Sequence, residues 1–205
     1  MHLPVRFSYK PDVKALMKPV ESELFVRHIK KSGYYLEFGM GGSTFLALSN
    51  TKAKVYSVES DFEWIRKLKK YWFIRFHLLK RLSIYYANIG NTKEWGYPVD
   101  TQHKLSFPDY SSGIFKKIDV SKVDCVLIDG RFRVASVLQT ILHCHKNSGL
   151  KILFHDFYNR PRYHEVLKYL SEIEKAETLA VFNIRPNVDL LEVATDYELF
   201  KFSPP

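Results

Sequence analysis

The sequence has few of the features that mark secreted and membrane proteins. Only two cysteines, Cys125 and Cys144, occur in 205 residues; this is too few for a disulfide framework, and both lie in apolar patterns that predict buried thiols. No apolar run reaches the roughly 20 residues that span a bilayer, and stretches such as 123–128 have only the length of a strand. The first 19 residues are interrupted by prolines and contain no apolar signal-peptide core. We therefore expect a cytoplasmic protein.

The sequence also lacks internal repeats, low-complexity segments and any shift in composition that would mark a domain boundary. Its hydrophobic content of 46% and charged content of 26% are typical of a soluble globular domain with a full core. We predict an N-terminal arm and helix over 1–33, packed on a single domain over 34–205. Basic residues outnumber acidic ones by 31 to 22, and the net charge of +9 is compatible with nucleic acid, an anionic membrane or an acidic substrate.

Short apolar segments of strand length alternate with segments of helical periodicity along most of the chain. This alternation is typical of βαβ units. The predicted fold is therefore α/β, with a doubly wound, mostly parallel Rossmann-like sheet and helices on both faces. The five strands of these units are predicted at 34–38, 54–59, 82–89, 123–128 and 150–154.

Two regions depart from this alternation. Residues 91–118 form a long polar connection of a kind that is usually functional or disordered, with a short helix predicted over 108–117. Further on, 161–174 is predicted as a helix because its apolar residues have helical spacing. Residues 178–184 and 198–202 are predicted as late strands that form a C-terminal antiparallel pair.

Polar residues close the predicted strands at their carboxyl ends. These ends meet at one edge of a parallel sheet, where the ligands of doubly wound proteins bind. The side chains at this edge are therefore the candidate functional site. They are Glu37, Glu59, Asn88, Asp129, His155 and Asp156.

The candidate site begins with a glycine-rich turn after the first strand. Such a turn presents backbone N–H groups to a ligand at a helix N-terminus, but alone it is a weak signal that also serves as a packing device. Glu59 lies 20 positions after Gly39, the spacing at which an acidic residue reaches a ribose diol. Glu37 would repel a pyrophosphate and attract an ammonium group. The pattern therefore favours a cationic, phosphate-free adenosine cofactor over NAD.

The pattern Glu-x-Gly-x-Gly-x-Ser-Thr over 37–44, followed by Glu59, resembles that of the class I S-adenosylmethionine-dependent methyltransferases. Order and spacing are similar over about 34–157, which is most of the chain. Three segments further resemble a group of small, mostly uncharacterised members. These segments are 94–98, 128–133 and 155–156.

The resemblance implies S-adenosylmethionine as the cofactor. It implies that Glu37 and the glycine turn border the methionine moiety, and that Glu59 binds the ribose. Asn88 would lie at the adenine edge, where the family more often has an acidic residue. The cofactor-binding residues implied in this way are Glu37, Gly39, Met40, Gly41, Ser43, Thr44, Glu59, Asn88 and Asp129.

Three residues that close the fourth and fifth strands form the candidate catalytic group. Methyl transfer to a hydroxyl requires loss of the hydroxyl proton, either to a general base or through a metal, and His155 is the predicted base because imidazole titrates near neutrality. Asp129 and Asp156 resemble the metal-binding acids of catechol-type O-methyltransferases and would hold Mg²⁺ or Mn²⁺, although Phe157 replaces the asparagine ligand of that type. The alternatives are a turn or helix-cap role for Asp129 and a structural imidazole for His155.

Arginine and aromatic residues near the expected mouth are the candidate acceptor site. Arginine binds carboxylate or phosphate, and aromatic rings stack on sugars or other rings, so the predicted acceptor is a hydroxyl on a small molecule or glycan. Taken singly, each residue is better explained by an ion pair or ordinary packing. The residues are Trp95, Tyr97, Arg131, Arg133, Tyr158 and Arg160.

Residues 66–82 combine basic and aromatic side chains and overlap a helix predicted to run over 62–79. The preferred interpretation is an ordinary crossover helix with one buried face. The alternatives are a peripheral membrane contact, an RNA-binding patch or a homo-oligomer interface. The net charge makes an RNA methyltransferase one alternative function, although no Asn-Pro-Pro-Tyr-type motif follows the fourth strand. A non-catalytic nucleoside-binding protein is another.

Overall fold

The structure is a computed structural model that describes residues 13–204; residues 1–12 of the predicted N-terminal arm lie outside the described part. The described strands are β1 (Tyr34–Phe38), β2 (Lys54–Glu59), β3 (Leu82–Tyr86), β4 (Thr92–Lys93), β5 (Tyr97–Pro98), β6 (Cys125–Ile128), β7 (Lys151–Phe154), β8 (Leu170–Ala176) and β9 (Leu179–Ile184). The α-helices are α1 (Pro19–Ile29), α2 (Gly42–Asn50), α3 (Phe62–Leu68), α4 (Trp72–Leu78), α5 (Phe107–Ser112), α6 (Arg133–Cys144) and α7 (Leu190–Phe200).

In the described residues, seven strands form one sheet in the order β3-β2-β1-β6-β7-β9-β8, and β4 pairs with β5 in a separate hairpin. In the large sheet, β3, β2, β1, β6 and β7 run parallel to one another, and β9 runs antiparallel to both β7 and β8. The predicted doubly wound, mostly parallel fold is confirmed. The strand order reverses between β1 and β6, and such a switch point opens a crevice at the carboxyl edge of the sheet.

The core forms two layers, one on each face of the sheet. Alternating side chains of the central strand point to opposite layers, so that Leu36 and Phe38 pack with α5, α6 and α7, whereas Tyr35 packs with α1, α2 and α4. Both cysteines are buried free thiols, as predicted. Among the described residues, no helix combines the length and the apolar character needed to cross a membrane.

The predicted helix over 161–174 is wrong beyond residue 168. A 3₁₀ helix covers Pro161–Lys168, and the chain then enters β8. Leu170 and Ile173 extended the helical spacing of the preceding apolar residues, but β8 is an edge strand and Ile173 is 44% exposed. Apolar spacing in this strand therefore does not reflect a buried helical face.

The predicted strand over 198–202 is also wrong, because these residues continue or follow α7. Asp189 begins this helix by accepting hydrogen bonds from the N–H groups of Leu191 and Glu192, which is a strong N-cap. The antiparallel pair is present, but β8 supplies the partner of β9.

Two further segments differ in detail from the prediction. The helix predicted over 62–79 is divided into α3 and α4 by a short turn at 69–71. The connection over 91–118 is folded and contains the β4–β5 hairpin and α5, which supplies the predicted short helix. This connection lies over the carboxyl edge of the sheet, since Gly96 lies next to Ser60 and Glu59.

Candidate functional site

Strand order places the sequence-predicted residues in a row along the carboxyl edge of the sheet. Asn88 follows β3, Glu59 ends β2 and the glycine turn follows β1. Asp129 then follows β6, and His155 follows β7. With neighbouring strands about 4.8 Å apart, the row extends over roughly 20 Å. An elongated ligand can therefore contact several strand ends at once.

The glycine turn is shaped by a close approach between two strand ends. Gly39 has φ +101°, and a Cβ on it would lie 2.8 Å from the backbone N and Cα of Gly130. A side chain at Gly39 would be strained by both the backbone angle and this contact. Gly41 differs, because a Cβ there would meet no atom of the described residues within 4 Å. In the described part of the chain, the turn is therefore open at Gly41.

Glu37 lies beneath this turn and is fully buried. Hydroxyl groups of Ser43 and Ser57 donate to its carboxylate at 2.8 Å, Tyr35 donates at 3.0 Å, and Thr44 also donates. Burial raises the pKa of Glu37 to about 7, although these hydrogen bonds act against the rise. The carboxylate therefore anchors the first turn of α2 internally, and its predicted contact with a cofactor remains a prediction.

Glu59 supports the same turn from β2. Its carboxylate accepts hydrogen bonds from the backbone N–H groups of Met40 (3.1 Å), Ser60 (2.7 Å) and Asp61 (2.9 Å). Burial raises the pKa of Glu59 despite these three donors. A carboxylate offers about four lone-pair sites, so Glu59 retains capacity for a ligand hydroxyl. Met40 is held further by the Trp64 indole N–H, which donates to its carbonyl oxygen at 2.7 Å.

Asn88 is exposed beyond β3. Its side-chain oxygen accepts a hydrogen bond from the Gly90 backbone N–H at 3.2 Å and lies 3.4 Å from the Tyr86 hydroxyl. These contacts leave the side-chain amide NH₂ without a hydrogen bond among the described residues. The group can donate to a base edge, as the sequence predicted for this position.

His155 is held between carboxylates on both sides of its ring. Its Nδ1 lies 2.9 Å from Oδ1 of Asp129, and its Nε2 lies 3.5 Å from Oε2 of Glu21. Burial lowers the pKa of His155, but the Asp129 hydrogen bond and the charges of Asp129, Asp156 and Glu21 raise it overall. Both ring nitrogens already face an acceptor, which is the arrangement expected for a structural or positioning imidazole.

Arg133 cross-links the ends of β6 and β7. It is 3% exposed and donates to the carbonyl oxygens of Gly130, His155 and Asp129 at 2.9, 2.6 and 2.9 Å. It also pairs with Asp129 at 3.4 Å and with Asp156 at 3.3 Å. The sequence predicted Arg133 as an acceptor-binding residue, but its guanidinium is used inside the protein.

Asp156 has a left-handed backbone with φ +58° and pairs with Arg160 at 2.8 Å. One ligand atom each from Asp129, His155 and Asp156 lies within 4.8 Å of the others. The donor set is suitable for Mg²⁺ or Mn²⁺, but arginines already neutralise both acids. A metal would therefore have to compete with Arg133 and Arg160.

The remaining acceptor candidates differ in exposure and in contacts. Arg131 is 7% exposed and places its guanidinium carbon 4.1 Å from the ring centre of Tyr97, so the structure brings these two residues together. Trp95 is largely exposed with φ +64°. Tyr158 donates a hydrogen bond from its hydroxyl to Glu172 of β8, and its hydroxyl is therefore already engaged at the edge of the sheet.

Three residues of the site were not predicted from the sequence. Glu21 of α1 is 2% exposed and reaches His155 from far along the chain. Tyr110 of α5 is also buried, and its hydroxyl accepts the backbone N–H of Arg131 at 3.2 Å. Ser57 could have been found from the sequence. It is a polar residue inside a mostly apolar strand, and such a residue is expected to have a buried hydrogen-bond partner, which here is Glu37 on the neighbouring strand.

Comparisons with known proteins agree with this fold. No protein-family model matches the chain, and no curated protein matches it significantly. Among solved structures, a methyltransferase-like protein from Silicibacter pomeroyi matches with a TM-score of 0.78 and 28% identity, over 94% of this chain and 98% of that chain.

Two more distant structures share the fold. A methyltransferase from Geobacter sulfurreducens has a TM-score of 0.54 and 10% identity, over 82% of this chain and 80% of that chain. A protein from Corynebacterium glutamicum has a TM-score of 0.54 and 8% identity, over 86% and 85%.

Proposed function

We propose that this chain, a member of the class I S-adenosylmethionine-dependent methyltransferases, transfers the methyl group to a hydroxyl of a small molecule or glycan. The observation that carries the proposal is the row of residues along the carboxyl edge. Asn88, Glu59 and the open turn at Gly41 follow adjacent strands, and they suit an adenine edge, a ribose diol and an amino-acid tail in that order. Asp129 follows on the next strand, where an acceptor would lie.

The cofactor supplies an electrophilic methyl group on a sulfonium centre. Holding the acceptor oxygen in line with that methyl group provides much of the rate acceleration. In this proposal Glu59 and the glycine turn fix the cofactor, whereas the ends of β6 and β7 fix the acceptor. Bound there, the cofactor would supply its methyl group to an acceptor oxygen held at these strand ends.

Asp129 is the group that we assign to the acceptor hydroxyl. The contacts of its side chain with His155 and Arg133 use Oδ1, which leaves Oδ2 to accept the hydroxyl proton during transfer. Burial raises the pKa of Asp129, but the His155 hydrogen bond and the Arg133 charge lower it overall. The carboxylate is therefore ionised at neutral pH. His155 acts as a positioning residue in this scheme.

The proposal does not require a metal, because the charges of Asp129 and Asp156 are compensated by Arg133 and Arg160. Methyl transfer to a panel of hydroxyl compounds, measured with radiolabelled cofactor, should continue in excess EDTA. A requirement for added Mg²⁺ or Mn²⁺ would instead support the metal site predicted from the sequence.

Calorimetry tests the cofactor site directly. The protein should bind S-adenosylmethionine and S-adenosylhomocysteine but not NAD. Glu59→Gln should weaken binding about tenfold or more, since a ribose hydroxyl loses a charged acceptor. Glu63→Gln is the matched control, because Glu63 is an exposed acid on α3 whose ion pair in the described residues is with Arg66. Failure to bind either sulfur compound would overturn the proposal.

The same panel separates the rival functions. Methyl transfer to RNA but to no small acceptor would favour an RNA methyltransferase. Cofactor binding without any turnover, unchanged in Asp129→Asn, would favour a non-catalytic nucleoside-binding protein.

A further inference from the structure

Arg131 is a buried cation without a hydrogen-bond partner for two of its nitrogens. Its Nε and Nη1 atoms are buried and make no hydrogen bond among the described residues. The hydrogen bond that Arg131 makes within 13–204 is that of its backbone N–H, which donates to the hydroxyl of Tyr110. An unpaired buried charge is costly to a folded protein. Such a group therefore indicates a ligand that is present when the protein works.

The surroundings of Arg131 define what that ligand can be. The ring of Tyr97 lies against the guanidinium, and a Cβ added to Gly96 would lie 3.9 Å from Cγ of Arg131. Gly96 has φ +73°, so the segment that closes over Arg131 uses a backbone conformation that favours glycine. One face of the guanidinium is thus covered by Tyr97, and Nε and Nη1 on its edge are buried without a partner among the described residues.

Charge balance favours a monoanion. Arg133 and Arg160 pair with Asp129 and Asp156, whereas Arg131 forms no ion pair in the part of the chain that the structure describes. A cation without an ion pair of its own, whose charge acts on Asp129 from a longer distance, matches one carboxylate. A phosphate dianion would add a second negative charge close to Asp129, which also lies at the end of β6.

We propose that Arg131 binds a carboxylate of the methyl acceptor, so that the acceptor is a hydroxy carboxylic acid. The inference rests on the proposed function, because it places the hydroxyl of that acceptor at Asp129, two residues before Arg131 and at the same strand end. Tyr97 would then pack against the acceptor next to its carboxylate.

The test measures binding of two hydroxy acids, D-glucuronate and 3-hydroxybenzoate, to the protein saturated with S-adenosylhomocysteine. Their uncharged counterparts, D-glucose and 3-hydroxybenzyl alcohol, and inorganic phosphate serve as comparison ligands. At least one hydroxy acid should bind wild type, and its uncharged counterpart should bind more weakly. Arg131→Met should weaken that binding about tenfold to hundredfold. Lys116→Met, which removes one exposed charge, should leave binding unchanged.

A second measurement separates a binding role from a structural one. Without ligand, Arg131→Met should melt at the same temperature as wild type or higher, because it replaces an unpaired buried charge with an apolar side chain. A lower melting temperature would show that Arg131 supports the fold and would overturn the proposal. Failure of both hydroxy acids to bind, or preference for phosphate, would also overturn it.

A third measurement excludes the carboxylate of the cofactor itself. Arg131→Met should bind S-adenosylhomocysteine as tightly as wild type does, and a loss of that affinity would assign Arg131 to the cofactor instead. The two proposals fail separately. Binding of the hydroxy acids is therefore also measured with protein that carries no cofactor. If the sulfur compounds do not bind but a hydroxy acid binds wild type more tightly than Arg131→Met, the methyltransferase proposal fails and the carboxylate site stands.

Discussion

Glu37 shows how a single buried carboxyl can tie stability to pH. Its pKa is raised from 4.5 to about 7 by burial, so between these values the folded protein keeps a proton that the unfolded chain has lost. The free energy of unfolding should therefore fall as pH rises from about 4.5 to 7, by roughly 2–3 kcal/mol from this group, and should be flat with respect to Glu37 above that range.

Glu37→Gln should remove this dependence. Glutamine keeps the size and hydrogen-bonding capacity of the protonated acid, and all four partners are hydroxyls that can reorient. Urea unfolding of wild type and Glu37→Gln at pH 5 and pH 8 gives the comparison, and other titrating groups cancel in the difference. An equal pH dependence in both proteins would contradict the prediction.

Arg133 and Arg131 are two positions apart, but their substitution should affect the free energy of unfolding differently. Arg133→Met removes donors from three carbonyl oxygens and leaves Asp129 and Asp156 with fewer cations. We expect a loss of about 3–5 kcal/mol in the free energy of unfolding, whereas Arg131→Met should cost nothing. Chemical denaturation of both variants checks this contrast, and equal losses would argue against it.

These residues also mark how far sequence can predict a site. Glu59 and Asp129 were identified because strand ends of a parallel sheet must share one edge. The guanidinium of Arg133 has partners inside the protein, whereas that of Arg131 has none for two of its nitrogens in the described residues. This difference depends on the direction of each side chain after a single turn. No periodicity encodes that direction, so the two arginines were indistinguishable in the sequence.

At the scale of elements, helix α1 is bound to the antiparallel end of the sheet through Glu21. Its carboxylate accepts the backbone N–H of Lys18 at 2.7 Å and both the N–H and the hydroxyl of Thr178 at 2.8 and 2.6 Å. The same carboxylate faces His155. One residue therefore caps α1, fastens it to the turn before β9 and reaches the candidate catalytic group.

Glu21→Ala should loosen α1 and lower the free energy of unfolding by about 2–4 kcal/mol, since several buried donors lose their acceptor. Glu23→Ala is the control, because Glu23 lies on the same helix and is exposed. Amide hydrogen exchange should rise in α1 and around Thr178 only for Glu21→Ala. Unchanged protection there would disprove the link.

The elements that sequence misassigned lie at one end of the sheet. Strand β8 has mostly solvent-facing side chains, and an edge strand of this kind carries no period-2 apolar signal. Helix α7 was mistaken for a strand although Asp189 marks its start. The central strands were predicted well because they are buried on both faces and read as continuous apolar runs.

At the scale of the whole molecule, the basic aromatic residues over 66–82 begin beside Trp64, which contacts the glycine turn, and lead to the opposite edge of the sheet from the site. Helix α3 begins after the carboxyl end of β2, and the chain returns to the amino end of β3 through α4. Arg81 confirms this position, since its guanidinium donates to the carbonyl oxygen of Ala53, just before β2. A strand of five or six residues spans about 17–20 Å, which separates this surface from the acceptor site.

The surface itself is suited to adsorbing polyanions. Leu79 is 88% exposed, and Lys69, Lys70 and Arg75 are also exposed. We expect wild type to bind single-stranded RNA or phosphatidylserine vesicles at low salt and to release them as salt rises, because exposed cations act through screened electrostatics.

A combined variant, Lys69→Ser with Lys70→Ser and Arg75→Ser, should weaken this adsorption and leave S-adenosylhomocysteine affinity and transfer to a small acceptor within about twofold of wild type. The reason is distance, because a polyanion that is bound at the amino edge of the sheet does not reach the acceptor site at Asp129 on the carboxyl edge. Filter binding, vesicle sedimentation and the radiolabel assay measure the three properties on the same samples. If the triple variant instead lost methyl transfer in proportion to RNA binding, the acceptor would be RNA held by this surface, and the separation of the two edges would have no functional meaning.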